Sequence, residues 1–279
     1  MTAPNKDYAA NFGFQWNRFP RTQLDSYSGV PITRPRFLAQ IGWTEAEFAG
    51  CRVLDVGCGA GRFAEIALSA GAEVVAVDYS SAIAACASNL RHHPRLRAVQ
   101  ADVYRLPFAP ARFDLVYCLG VLQHTPDVAA TIRALAAQVR PGGMLVVDSY
   151  HRGLGDLLHP KRWLRPLTTR LPDQRLFTFI EQWAPRLRRM STAAGRVPIV
   201  GRALRRLIPV ANYEGTYPLS PEQLDEWAVL DTFDWFAPRY DQPQTAATLR
   251  RLFVECGCED VTVFHAGHLT ARGRRVATV

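Results

Sequence analysis

The stretch Val53-Leu-Asp-Val-Gly-Cys-Gly-Ala-Gly61 decides the fold. A short apolar run enters a turn built on Gly57, Gly59 and Gly61. Apolar residues at helical spacing follow at once, at Phe63, Ile66, Ala67 and Ala70. This is a strand feeding a helix through a glycine turn. Glycines permit the sharp turn and let a ligand touch the backbone, while the helix N-terminus offers its free N–H groups. The spacing separates ligand classes. Dinucleotide folds place the third glycine one residue later, as Gly-x-Gly-x-x-Gly, with a pyrophosphate over the helix end. Asp55, just before the turn, would repel a pyrophosphate and suits a cationic or zwitterionic ligand.

Outward from this turn, strand and helix alternate. Glu73–Val77 reads as a second strand. A helix capped by Ser80 or Ser81 runs to Arg91, where His92-His93-Pro94 ends it. Leu96–Ala101 and Phe113–Cys118 read as the third and fourth strands. A helix from Val128 to Val139 ends at Pro141-Gly-Gly143, and Met144–Val147 is a fifth strand. The alternation predicts an α/β, doubly wound, mostly parallel sheet with right-handed crossovers.

Four segments are expected. Residues 1–50 form an aromatic-rich N-terminal helical cap, with a helix at Arg36–Ile41 and a capping box at Thr44-Glu-Ala-Glu47. Residues 51–150 are the core. Residues 151–244 carry prolines between short helical patches such as Leu176–Trp183 and Ala203–Ile208, which predicts a helical insertion or lid. Residues 245–279 add a helix at Thr245–Glu255, a strand at Asp260–Phe264 and a last strand at His268–Val279.

Val53-Leu-Asp-Val-Gly-Cys-Gly-Ala-Gly-Arg62 resembles the first motif of class I S-adenosylmethionine-dependent methyltransferases, of the bacterial small-molecule type. Val74-Val-Ala-Val-Asp78 resembles the second, and Gln100-Ala-Asp-Val103 the adenine-side motif. Phe113–His124 resembles the fourth strand and its turn, and Val139–Asp148 the fifth strand. The resemblance implies a Rossmann-like sheet of seven strands with the last antiparallel, and S-adenosyl-L-methionine as cofactor. It carries the cofactor-binding set over to Asp55, Gly57, Cys58, Gly59, Gly61, Asp78, Tyr79, Asp102, Val103 and Leu119. Asp78 would accept both ribose hydroxyls and Asp102 the exocyclic amine. Asp102 also suits an ordinary turn. Cys58 would contribute its backbone only, and Asp114 would be structural. The implied activity is methylation of a small-molecule acceptor, anionic or carrier-linked among the options. The alternatives are a nicotinamide-dependent oxidoreductase, which the glycine spacing disfavours, and a non-catalytic S-adenosylmethionine-binding regulatory protein.

The catalytic candidates follow the fourth and fifth strands. An imidazole at His124 can take a proton from a hydroxyl or thiol at neutral pH. The same histidine also fits a role in shaping the turn. His151 is a second candidate base. Two aromatic clusters, Phe12–Arg18 and Asp231–Tyr240, could form a lid in which Trp16, Trp235, Arg239 and Tyr240 line the acceptor pocket, with Arg239 and Tyr240 as further catalytic candidates, or their aromatics could be the core of a cap.

Charge and cysteines bound the rest. The chain carries a formal charge of +8, and residues 151–210 hold 13 Arg/Lys against 3 Asp/Glu, a net of +10. The basic excess therefore belongs to one segment. It suits an anionic acceptor, an anionic membrane surface or a solvated face. No recognisable nucleic-acid-binding module accompanies it, and no motif reports an oligomeric state. Cys51, Cys58, Cys86 and Cys118 read as buried free thiols, and Cys256-Gly-Cys258 as a redox pair or a helix end. No metal-ligand spacing occurs. No apolar run approaches the ~20 residues of a membrane span, and Met1–Asp7 shows no signal pattern. A cytoplasmic protein is the expectation.

Overall fold

The computed structural model describes residues 8–153 and 160–276. The reading of Met1–Asp7 and the end of the last expected strand, 277–279, lie outside these. The chain divides into two compact units. One comprises Met1–Pro20, Pro31–Arg152 and Tyr240–Val279, and the other Arg21–Val30 and Gly153–Arg239. Residues 1–50, expected as one cap, are thus shared between them.

The first unit is a seven-stranded sheet in the order β3-β2-β1-β4-β5-β7-β6. Its strands are β1 (Arg52–Val56), β2 (Glu73–Asp78), β3 (Leu96–Gln100), β4 (Phe113–Cys118), β5 (Val139–Ser149), β6 (Cys258–Ala266) and β7 (His268–Arg275). Strand β7 runs antiparallel to both its neighbours, β5 and β6, while β1 to β5 pair in parallel. An all-parallel dinucleotide sheet has no such strand. Alternate residues face opposite layers. Leu54, Val116, Cys118, Leu145 and Val147 pack with α6 (Val128–Gln138) and α11 (Ala246–Glu255). Val53, Leu115, Tyr117 and Val146 pack on the other side with α3 (Thr33–Ile41), α4 (Arg62–Ser69) and α5 (Ile83–Asn89). Burial on both faces explains why these strands read as continuous apolar runs.

Local signals succeed where their partners are local. The Thr44/Glu47 capping box forms, with Thr44 N–H and Oγ each donating to the Glu47 carboxylate. Thr245 caps α11 by accepting from Thr248 N–H. Ser80 does not cap α5, whose first turn follows Ala82. Its hydroxyl accepts from the Ala82 N–H at 3.2 Å and donates to Asp78. Helix α6 stops at Gln138 rather than at Pro141-Gly-Gly143. Strand β5 starts at once at Val139, opposite Phe113, and an irregularity in the pairing precedes Met144. All six cysteines are free, and Cys51 is half-buried rather than buried.

The second unit is helical: α2 (Asp25–Ser28), α7 (Pro160–Thr168), α8 (Asp173–Gly195), α9 (Gly201–Leu207) and α10 (Pro221–Phe236). The patch expected at Leu176–Trp183 is part of a 23-residue helix that continues through Pro185. An internal proline costs about 3 kcal/mol. The face formed by Phe177, Ile180, Ala184 and Arg188, packed on α10, offsets that cost. Arg188, 5 % exposed, is held at 2.6 Å by Glu214 and at 2.6 Å by Asp225. Because both carboxylates are partly solvated, Arg188→Ala should destabilise this unit by about 2–3 kcal/mol. Urea unfolding followed by circular dichroism measures the loss.

Candidate functional site

The carboxyl ends of β1, β2 and β4 bring Asp55, the glycine turn Gly57–Gly61, Asp78 and Tyr79 together with the turn that follows β4. The turn after β1 starts at Gly57, whose N–H donates to the Val77 carbonyl at 2.7 Å. Gly57 has φ +79°, and a Cβ there would lie 2.4 Å from the Val121 side chain. Gly59 has φ +52°, and a Cβ there would press on the Trp16 indole at 3.0 Å. Gly61 caps α4. Cys58 is buried, with its thiol beside that of Cys86, and burial pushes it well up.

Three carboxylates behave differently. Asp78, at the end of β2, is 8 % exposed and accepts from Gly59 N–H (2.9 Å), Ser80 N–H (2.8 Å) and Ser80 Oγ (2.7 Å). Burial raises its pKa, and these hydrogen bonds oppose the shift. A carboxylate has about four acceptor positions, so a further donor can be accommodated. Asp148, at the end of β5, is fully buried. It accepts from Arg36 (2.9 Å), Gln40 (2.8 Å) and Gly120 N–H. Asp148 therefore fixes the turn after β4. Asp55 is 1 % exposed, and its Oδ2 has no hydrogen-bond partner. Burial pushes its pKa up to about 8, Asp78 adds to the rise, and the Tyr117 phenol partly opposes it.

Helix α1 (Ala10–Arg18) lies over these strand ends. Tyr8, just before it, stacks on Tyr79 with ring centroids 5.0 Å apart and planes at 12°. Burial raises the Tyr8 phenol far above its usual range, and the charges of Asp102 and Asp78 raise it further. Phe12 packs 5.1 Å from the His124 ring, and Asn17 donates to Ser81 Oγ at 3.0 Å. Asn11 Nδ2 and Gln15 Oε1 are buried without hydrogen-bond partners. Tyr8, Asn11, Phe12, Gln15 and Trp16 fall at i, i+3, i+4, i+7 and i+8, one face of a helix. That periodicity was present in the sequence and would have grouped them. Trp16, read either as pocket lining or as cap core, lies on the glycine turn.

Near β4, Leu119 is buried, and His124 is 3 % exposed in the short helical turn Leu122–His124. His124 Nδ1 is 2.9 Å from the Tyr240 carbonyl. A carbonyl only accepts, so Nδ1 carries the proton and the neutral ring's lone pair is on Nε2. The Tyr150 ring stands edge-on to His124 at 5.6 Å and to His268 at 5.2 Å. The Tyr240 ring lies 6.2 Å from Tyr8. His151 is exposed and packs on His265 at 5.2 Å, on the side of the strand opposite Tyr150. Asp102 is half-buried and accepts from Tyr104 N–H at 3.0 Å, with Val103 buried behind it. Asp114 accepts from Arg52 N–H and Arg140 at the far ends of the strands, a structural role. Arg239 is exposed, and the Trp235 carbonyl accepts from Arg165; both residues belong to the second unit. Among the described residues no cluster could hold a metal ion, and no helix is long and apolar enough to cross a membrane.

The raised Asp55 has a pH signature. Its unfolded carboxyl loses its proton near 3.8 and its folded one near 8, so the folded chain holds the extra proton between them. Stability from this group is complete below the lower value and falls as pH rises to the upper, by at most ~1.4 kcal/mol per pH unit. Urea midpoints of the ligand-free protein should therefore decline from pH 5 to pH 8 relative to Asp55→Asn. Parallel profiles would remove the buried-acid assignment.

Residues 54–147 match the family described as methyltransferase domain. The ubiquinone biosynthesis O-methyltransferase of Xanthomonas euvesicatoria pv. vesicatoria is 40 % identical over 116 residues, 39 % of this chain and 47 % of that protein. That of Azotobacter vinelandii is 37 % identical over 134 residues, 45 % and 53 % of the two chains. The chain spans about half the length of the curated relatives it matches. Two solved structures share the fold. One is 1,6-didemethyltoxoflavin-N1-methyltransferase of Burkholderia thailandensis, with TM-score 0.52, 17 % identity and coverage of 99 % of this chain and 92 % of that one. The other is magnesium protoporphyrin IX methyltransferase of Synechocystis PCC 6803, with TM-score 0.52, 16 % identity and coverage of 98 % of each.

Proposed function

We propose that this chain, a class I S-adenosylmethionine-dependent methyltransferase by its matched domain and its sheet order, methylates an oxygen of a small aromatic acceptor. The observation that carries the proposal is the gathering of Asp55, Asp78 and the glycine turn at the strand ends, beside an imidazole whose lone pair is on Nε2. Bound S-adenosylmethionine supplies an electrophilic methyl group on a sulfonium that leaves as a neutral thioether.

The residues fit that donor. Asp55 Oδ2 and Gln15 Oε1 are buried acceptors without partners, suited to an ammonium, and the Asn11 amide is a buried donor suited to a carboxylate. Asp78 would take a ribose hydroxyl on its remaining acceptor position. Tyr8 and Tyr79 flank the side that Asp102 would read, and would face the adenine ring. Phe12 and Tyr150 pack on His124, and the three would wall the acceptor side with aromatic surface. These neutral walls favour an aromatic ring over the anionic or carrier-linked acceptor that the basic segment alone suggests. The relatives' designation as O-methyltransferases supports oxygen as the nucleophile. His124 Nε2 would take the hydroxyl proton as the oxygen's electron pair forms the new bond to carbon. The chain's further contribution is alignment and exclusion of water.

Calorimetry with S-adenosylhomocysteine tests the donor site. Binding is expected, with heats at neutral pH that differ between phosphate and Tris because an ammonium beside Asp55 expels its proton. Asp55→Asn should abolish the buffer dependence. Asp78→Ala should weaken binding about 10- to 100-fold, the worth of charge-assisted hydrogen bonds. Absence of binding would overturn the reading.

A phenol and catechol panel tests the base. His124→Gln should lower kcat about 10²- to 10⁴-fold and remove the acid limb of the pH–rate profile. Affinity for S-adenosylhomocysteine should be unchanged. A limb that persists in the variant would reduce His124 to a shaping role.

A further inference from the structure

Helix α8 has two dissimilar faces. One packs on α10 and binds its charge partners through Arg188. The other carries Arg175, Phe179, Trp183, Arg186 and Met190 at spacings of four, four, three and four residues, which places them on a single stripe. From Phe179 to Met190 the stripe runs about 16 Å along the helix. Phe179, Trp183 and Met190 are 59 %, 42 % and 58 % exposed. The Arg186 guanidinium lies over the Trp183 ring at 5.3 Å. The pattern continues past the end of α8. Ile199 is fully exposed, and on α9 the exposed Leu204 and Leu207 alternate with Arg202 and Arg206.

Among the described residues, packing within the unit leaves this face exposed. Large apolar groups at such density are uncommon on a solvated surface. The charge says what kind of partner fits. The charges exposed beside these apolar groups are Arg175, Arg186, Arg202 and Arg206, so two copies meeting through this face would set like charges together. A nucleic acid would satisfy the arginines and leave Phe179, Met190 and Ile199 in water. A surface that is anionic at phosphate depth and apolar just below satisfies both kinds of side chain, with tryptophan at the boundary. We propose that this face of the second unit docks on the surface of a bilayer containing anionic phospholipid. It lies in the interface without spanning it. The proposal rests on the stripe and the charge, and it stands or falls apart from the methyl-transfer reading.

Flotation of the 279-residue chain with phosphatidylcholine vesicles, with and without phosphatidylglycerol, tests it. Binding should require phosphatidylglycerol and weaken as salt rises, with Trp emission moving to shorter wavelength. Each arginine neutralised near an anionic surface costs about fivefold, so Arg186→Gln with Arg202→Gln and Arg206→Gln should lower affinity about a hundredfold. Phe179→Ser with Trp183→Ser should leave only salt-sensitive residual binding. Circular dichroism verifies that both variants fold, and the lipid and salt dependence of the unaltered chain does not rely on either. Failure to float at low salt, or equal flotation with neutral vesicles, overturns the proposal. So does a dimer in sedimentation that the Phe179/Trp183 variant abolishes.

Discussion

The Asp78 carboxylate ties the cleft together. A buried carboxylate has to be satisfied or protonated, and this one takes the N–H of Gly59 and both donors of Ser80. It thereby locks the glycine turn after β1 to the exit of β2, two adjacent parallel strands. What lies over them inherits that geometry. Trp16 rests on Gly59, Asn17 holds Ser81, and Tyr8 stacks on Tyr79. The seating of α1 is therefore a consequence of one charge and its three donors.

Asp148 performs the equivalent task at β4 and β5. It fastens Gly120 and, through Arg36 and Gln40, helix α3. Asp55 is the exception among the three. It is as deeply buried, yet one oxygen has no donor and its pKa is pushed up to about 8. Two carboxylates are thus held by donors of the chain itself, and one is left under-satisfied. Such a group gains most from an incoming cation, which is the ground on which a binding role is proposed for it.

The second unit is organised by a different charge. Arg188 is buried between Glu214 and Asp225, which fixes how α8 rolls against its neighbours. That roll determines which residues face outward. Phe179, Trp183 and Met190 emerge on the exposed side because Phe177, Ile180 and Ala184 are drawn inward.

The strands, the glycine turn and the order of elements were legible in the residues, because β-branched runs, helical periodicity and glycine positions act over a few residues. The antiparallel last strand came only from the family resemblance. Pro185 marked a break by local rules, and α8 passes through it because burial of one face outweighs a lost hydrogen bond. Ser80 looked like a helix cap; it stands two residues before the N-cap and ties the Ala82 N–H to Asp78 through its hydroxyl. His151 stood next to the right strand end, but alternation along the strand turns its ring toward His265 and gives Tyr150 the side facing His124.

By itself, then, the sequence determined a strand–turn–helix that presents backbone N–H groups to a non-pyrophosphate ligand. It also determined the alternating elements that make a doubly wound sheet. Tertiary structure alone decided which helix lies over that turn, which carboxylates are satisfied, and which nitrogen of His124 carries its proton. These depend on pairs such as Asn17 with Ser81 and His124 with Tyr240. Such pairs are far apart in the chain, and only packing of the whole sheet brings them within hydrogen-bond reach.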